Sequence, residues 1–138
     1  MIEIRPILKS EFKELLSLWI KYHKIVSKTD DEILVTDYLL SVLNRKNSIV
    51  LGIFKDKKLI GFTIGYEVSD EVFYWEGIYC ENKYYVNKLV KFSENFIKDR
   101  YKFWISEANT DEGFRLLSKI AKKITEKTFL KEMVWEVY

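Results

Sequence analysis

The sequence predicts a mixed α+β domain, a single mostly antiparallel sheet with helices on both faces, and three observations carry that prediction. Apolar residues recur at helical spacing in four separate stretches. Three short apolar runs follow one another through polar turns between residues 48 and 80. A strand–helix–strand step then spans residues 72 to 106. Short turns join antiparallel neighbours, whereas a step of that length favours a parallel crossover.

In order, Ile2 and Ile4 alternate with Glu3 and Arg5, which predicts a half-buried strand ended by Pro6 and Ser10. Ser10 is the expected N-cap of a first helix whose inner face is Phe12, Leu15, Leu16, Trp19, Ile20 and His23. Thr29 and Glu32 have capping-box spacing for a second helix, with Leu34 or Val35, Tyr38, Leu39, Val42 and Leu43 inward. Strands are expected over 48–54, 59–68 and 72–80, joined by Lys55-Asp56-Lys57-Lys58 and Ser69-Asp70-Glu71. Gly52, Gly61 and Gly65 within them imply close backbone approach or a bulge.

A third helix follows with Val86, Leu89, Val90, Ser93, Phe96 and Ile97 on one face, then a strand over 101–106. A fourth helix puts Phe114, Leu117, Ile120, Ala121 and Ile124 inward, and residues 128–138 alternate loosely as a last strand. The expected order is β-α-α-β-β-β-α-β-α-β. One domain over residues 1–138 is the simplest division of a chain this long.

Charge is nearly balanced, 23 basic against 21 acidic residues, so charge alone implies neither nucleic-acid nor membrane attraction. One cysteine, Cys80, excludes an internal disulfide and suggests a reducing compartment. The charged first residues and the lack of a spanning apolar run make a cytoplasmic location the default expectation. One histidine and one cysteine are too few for a transition-metal or zinc site. His23, on the apolar face of its helix, is expected in the core.

The stretch that organises the chain is EVFYWEGIYCENKYYVNKLVKFSENFIKDR, an apolar strand running through a polar corner into an amphipathic helix. Such a corner can present backbone N–H groups and a positive helix end to a phosphate. With the element order, the segments MIEIRPILKSEFKELLSLW, IVLGIFKDKKLIGFTIGY, FYWEGIYCENKYYVNKLVKF and FWISEANTDEGFRLLSKI resemble the GNAT superfamily of N-acetyltransferases over nearly the whole chain.

The resemblance implies acetyl-CoA as cofactor and a small-molecule or protein amine as acceptor. It implies that Glu76 deprotonates the amine and that main-chain groups at Ile78 and Cys80 pair with the pantetheine arm. By the same resemblance the corner Lys83, Tyr84, Tyr85, Val86, Asn87 and Lys88 meets the pyrophosphate, and Asn109 bonds the pantetheine. Each has an ordinary alternative: Glu76 as a solvent-facing strand residue opposite Phe73, Trp75 and Gly77, Asn109 as a helix N-cap, Cys80 as a buried small residue.

The chain departs from the family pattern in two places. No glycine lies between Gly77 and Gly113, and Val86 stands where the family has a glycine. A Cβ there obstructs the close approach of a phosphate to the main chain or the backbone angles that approach requires, and a β-branched residue would resist the positive φ that a glycine allows. On the fourth helix the position of the family's thiolate-protonating Tyr is a leucine, within Leu116-Leu117-Ser118-Lys119-Ile120. Two readings follow. One is an N-acetyltransferase moving an acetyl group from CoA to a primary amine. The other is a GNAT-like binding or assembly module without the cofactor, a homodimer in which a second subunit completes the sheet edge.

Overall fold

The computed structural model describes residues 1–125 and 127–133. It contains β1 (Ile2–Pro6), α1 (Phe12–Val26), α2 (Glu32–Leu43), β2 (Ile49–Lys55), β3 (Lys58–Glu67), β4 (Val72–Cys80), α3 (Val86–Ile97), β5 (Phe103–Glu107), α4 (Asp111–Ile120), β6 (Lys122–Lys123) and β7 (Thr128–Glu132). The strands form one sheet in the order β1-β2-β3-β4-β5-β7-β6. All neighbours are antiparallel except β4 and β5, which run parallel across the α3 crossover. The expected order holds, with one strand added. The two-residue β6 follows α4, which stops at Ile120, so Ile124 is exposed rather than inward. The last strand was expected to reach Tyr138; what lies beyond Met133 is outside the described residues.

Two apolar layers bury the sheet. On one face α1 and α2 supply Leu15, Leu18, Trp19, Val35, Leu39 and Val42 to Phe62 and Ile64 of β3. The Trp19 indole N–H donates to the Val35 carbonyl at 3.0 Å, tying the two helices together while satisfying a buried donor. On the other face Leu89 packs on Ile53 and Cys80, and Ile97 and Leu117 join Leu51, Phe73, Trp75, Trp104 and Phe129. Thr63 and Ser93 bond hydroxyl to hydroxyl at 2.8 Å between β3 and α3.

Local details differ from the sequence reading at the caps. Ser10 lies in a 3-10 turn, where Glu11 accepts the Leu8 N–H and pairs with Arg5. Asp31, not Thr29, caps α2 by accepting the Leu34 N–H at 3.1 Å. Either short oxygen side chain can serve, and the backbone path decides which reaches the free N–H groups. The α1 face is also rotated: Leu18 and Tyr22 are buried, whereas Phe12, Leu16 and Ile20 lie at its margin.

The bulges implied by the glycines are present. The β3–β4 register slips between Ile64 and Gly65, pairing Gly65 with Trp75 and Ile64 with Gly77, so Glu76 is the extra residue. A side chain on Gly65 would run into the Tyr74 carbonyl oxygen. The bulge also changes the parity of β4. Phe73 and Trp75 face α3 and α4, but Gly77 sits under the Tyr22 ring, 3.2 Å from where its Cβ would be. Strict alternation had put Phe73, Trp75 and Gly77 on one face; the extra residue places Gly77 on the face of Glu76 instead.

Candidate active site

The pairing of β4 with β5 runs from Val72–Trp75 against Phe103–Ser106 and stops there. Beyond it β4 continues to Cys80 while β5 turns at Glu107 towards α4, so the two strands part. The Ser106 hydroxyl donates to the Trp75 carbonyl at 3.0 Å at the apex of the split. A narrow slot of about 70 Å³ opens between the strands, lined by Gly77, Ile78, Ala108, Thr110, Leu116 and Leu117 among others.

The unpaired part of β4 offers its main chain to this slot. The Glu81 N–H donates to Ile60 of β3 at 2.8 Å. Alternation along a strand then turns the main-chain groups of Cys80 and Ile78 towards the open side. Their side chains point to α3, Cys80 packing with Ile53 and Leu89. Burial pushes the Cys80 thiol up, so it remains a thiol in the core.

Glu76, displaced by the bulge, projects on the α1–α2 side and is half-buried rather than solvent-facing. The Tyr38 hydroxyl of α2 donates to Glu76 Oε1. Around them lies a cleft of about 460 Å³ lined by Tyr22, His23, Tyr66, Tyr74, Glu107 and Asn109 among others. Cleft and slot share Tyr22, Val26, Glu76, Glu107 and Asn109, so Glu76 is among the residues where the two meet. Burial first, then the Glu76 charge, pushes the Tyr22, Tyr66 and Tyr74 phenols up, with Tyr38 raised also by its bond to Glu76. The four phenols therefore stay protonated at neutral pH.

Asn109 is exposed and is not the N-cap of α4; Thr110 takes that place, its Oγ1 accepting the Gly113 N–H at 3.0 Å. The Asn109 side chain is thereby left to the slot and cleft. His23 is buried as expected, but it also lines the cleft.

The corner differs most from the sequence reading. Lys83–Tyr85 form a 3-10 turn, in which Asn82 Oδ1 accepts the Tyr84 N–H at 3.0 Å. Val86 opens α3 with φ −60° and ψ −47°, and no residue from 83 to 88 has positive φ. The backbone asks for no glycine there, so the strain expected at Val86 does not arise. The first turn of α3 carries no side-chain cap. Lys83 is paired with Glu112 of α4, while Tyr84, Asn87 and Lys88 are exposed and Tyr85 and Val86 are half-buried. Trp75 lies in the core, Tyr74 in the cleft and Tyr79 against Tyr22 and Phe62, while Tyr84 and Tyr85 meet edge to face at the corner.

Sequence reasoning missed Tyr22, Tyr38, Tyr66, Tyr74 and Glu107 as parts of one cleft. A signal existed for Tyr38, a polar-tipped residue on an otherwise aliphatic helix face. None existed for Glu107, whose position depends on where β5 leaves the sheet. Among the described residues no group of three or more His, Cys, Asp or Glu could hold a metal ion, and no helix is long and apolar enough to cross a membrane.

No family model and no curated protein matches the sequence. Solved structures do match the fold. The PaiA N-acetyltransferase of Thermoplasma acidophilum, solved with coenzyme A, superposes with TM-score 0.75 at 17% identity, over 96% of this chain and 99% of that one. The chain has the GNAT fold. An acetyltransferase of Streptococcus agalactiae gives TM-score 0.76 at 14% identity over 96% and 98% of the two chains. A GNAT family acetyltransferase of Elizabethkingia anophelis with acetyl-CoA bound gives 0.66 at 14% identity over 96% and 98%. The parting of β4 from β5 and the bulge beside it thus belong to a GNAT-fold domain of nearly the same length as its neighbours.

Proposed function

We propose that the chain is an acyl-CoA-dependent N-acetyltransferase that transfers an acetyl group to a primary amine. The observation that carries this reading is the meeting of slot and cleft at Glu76, with an unpaired strand edge on one side and a carboxylate on the other. Two GNAT-fold neighbours were solved with coenzyme A or acetyl-CoA, which supports the same class of cofactor here.

The residues fit such a cofactor. Main-chain groups of Ile78 and Cys80 form an open edge to which an amide-bearing pantetheine arm could pair as an added strand, with Asn109 beside it. The first turn of α3 has no side-chain cap, although its Val86 N–H donates to the Lys83 carbonyl, and Lys88 adds a charge nearby. Tyr84, Tyr85, Val86 and Asn87 complete that corner, and Lys83 joins it by exchanging Glu112 for a phosphate. When bound, the cofactor supplies an activated acyl thioester.

The chain's part in the reaction is to prepare the amine. Glu76, held through Oε1 by Tyr38, keeps its second oxygen for the amine and takes its proton, directly or through one water. Burial of the neighbouring phenols keeps them neutral, which leaves the carboxylates Glu76 and Glu107 as candidate bases, and Glu76 is the less exposed of the two. The expected outcome is acetyl-CoA binding by calorimetry together with transfer to a primary amine. Glu76→Gln should lower kcat about 10²- to 10⁴-fold with acetyl-CoA affinity preserved. No acetyl-CoA binding at millimolar concentration would return the chain to the reading of a binding module.

A further inference from the structure

Glu76 lies in an interior strand yet has no register partner on either side. On the β3 side Gly65 pairs with Trp75 and Ile64 with Gly77, which passes Glu76 over. On the β5 side the pairing closes at Trp75 and Ser106, one residue short of it. Two ladders ordinarily fix a residue in the middle of a sheet, and a bulged residue loses that hold. Two side chains act in their place. Tyr38 holds the carboxylate, and the Ser106 hydroxyl donates to the Trp75 carbonyl at 3.0 Å. That carbonyl belongs to the planar peptide unit joining Trp75 to Glu76, so the hydroxyl fixes the plane from which Glu76 departs. Ser106 is 6% exposed. A buried hydroxyl costs free energy without a partner, and this carbonyl is the partner the structure gives it. Alternation along β5 puts Ser106 on the face of Trp104, beside α3 and α4, whereas Glu76 projects towards α1 and α2. The hydroxyl thus reaches the carboxylate only through the main chain.

We propose that Ser106 is a positioning residue: through the Trp75–Glu76 peptide unit its hydroxyl fixes the bulge, so that Glu76 presents its carboxylate where slot and cleft meet. The catalytic consequence rests on the acyl-transfer reading; the coupling of Ser106 to the Glu76 main chain does not. Ser106 is also the last residue of β5 in register with β4, so the bond that steadies Glu76 sits where the strands part. A base must lie within hydrogen-bond reach of the proton it takes, and a misplacement of about 1 Å can cost about 10²-fold in rate. Freedom at the Trp75–Glu76 peptide would pass into such a misplacement, because Tyr38 holds only the tip of the side chain.

The test compares Ser106→Thr with Ser106→Val in the full chain, two substitutions of nearly the same shape of which only the first keeps a hydroxyl. Ser106→Ala, a smaller change, should behave as Ser106→Val. Without cofactor, the Glu76 and Gly77 amide resonances should broaden in Ser106→Val and keep the parent's line widths in Ser106→Thr. Those of Leu39 and Leu89 should stay unchanged in both. With acetyl-CoA and a primary amine, Ser106→Val should lower kcat about 10- to 100-fold with acetyl-CoA affinity unchanged, and Ser106→Thr should stay within about threefold of the parent. In a Glu76→Gln background Ser106→Val should lower kcat by less than about threefold, since both changes then act on one group. The same loss in both backgrounds, equal effects of Ser106→Thr and Ser106→Val, or unbroadened amides in Ser106→Val would overturn the proposal. The two readings fail separately. Broadening confined to Ser106→Val in a chain that binds no acetyl-CoA would keep the coupling and remove the transferase, whereas transfer with equal kcat in Ser106→Thr and Ser106→Val would do the reverse.

Discussion

Glu67 shows how much one residue's environment departs from what its position in the sequence suggests. At the end of β3 its carboxylate accepts from Tyr101 at 2.8 Å, Asn47 at 3.1 Å and Lys46 at 3.0 Å. The Tyr101 bond first, then Lys46 and Asn47, holds its pKa at about 2 rather than 4.5. A carboxylate with a depressed folded-state pKa adds stability that is complete above about 4.5 and lost as pH falls towards about 2. Glu67→Gln should therefore flatten the acid limb of stability across that window, read as urea midpoints against pH. Glu76 is the contrasting case. It was singled out through the family resemblance, as a carboxylate within an aromatic strand. Its partner was not legible, because Tyr38 is 38 residues away and reaches it only once α2 crosses the sheet.

At the scale of the element, β4 and its bulge do the positioning. The register slip at Gly65 moves Glu76 out of the alternation and turns Gly77 under Tyr22. Gly65→Val would drive a branched Cβ into the Tyr74 carbonyl. The expected cost is roughly 1–3 kcal/mol in urea denaturation, with a larger loss of activity than of stability because Glu76 moves with the register. The glycine in the sequence implied close backbone approach or a bulge, but which of these formed, and which residue would be extra, was a property of the pair of strands. The corner teaches the reverse lesson. A missing glycine suggested backbone strain at Val86, and the chain instead enters α3 through a 3-10 turn in which every residue is comfortable without glycine. A motif position is informative only when the local backbone is the one that the motif assumes.

At the scale of the whole molecule the sheet is buried on both sides, so neither helical layer can leave without exposing the other layer's floor. Leu39 anchors α2 on one face and Leu89 anchors α3 on the other, both fully buried. Leu39→Ala and Leu89→Ala should each cost about 2–5 kcal/mol, and each variant should still unfold in one transition by fluorescence and circular dichroism alike. Two separated transitions would show that the faces are independent. Tyr38, Phe96 and Phe114 were expected inward and are exposed. The sequence by itself determined the element order apart from β6, the antiparallel meander with its parallel step, and the helix anchors Leu15, Trp19, Leu39, Val42, Leu89, Ile97 and Leu117. Those follow from local periodicity and turn chemistry, which each segment carries alone. Only the tertiary structure decided where β4 and β5 part, which residue the bulge displaces, and which side chains of α1, α2 and β5 gather around Glu76. Those depend on strand register and helix docking, which no single segment encodes.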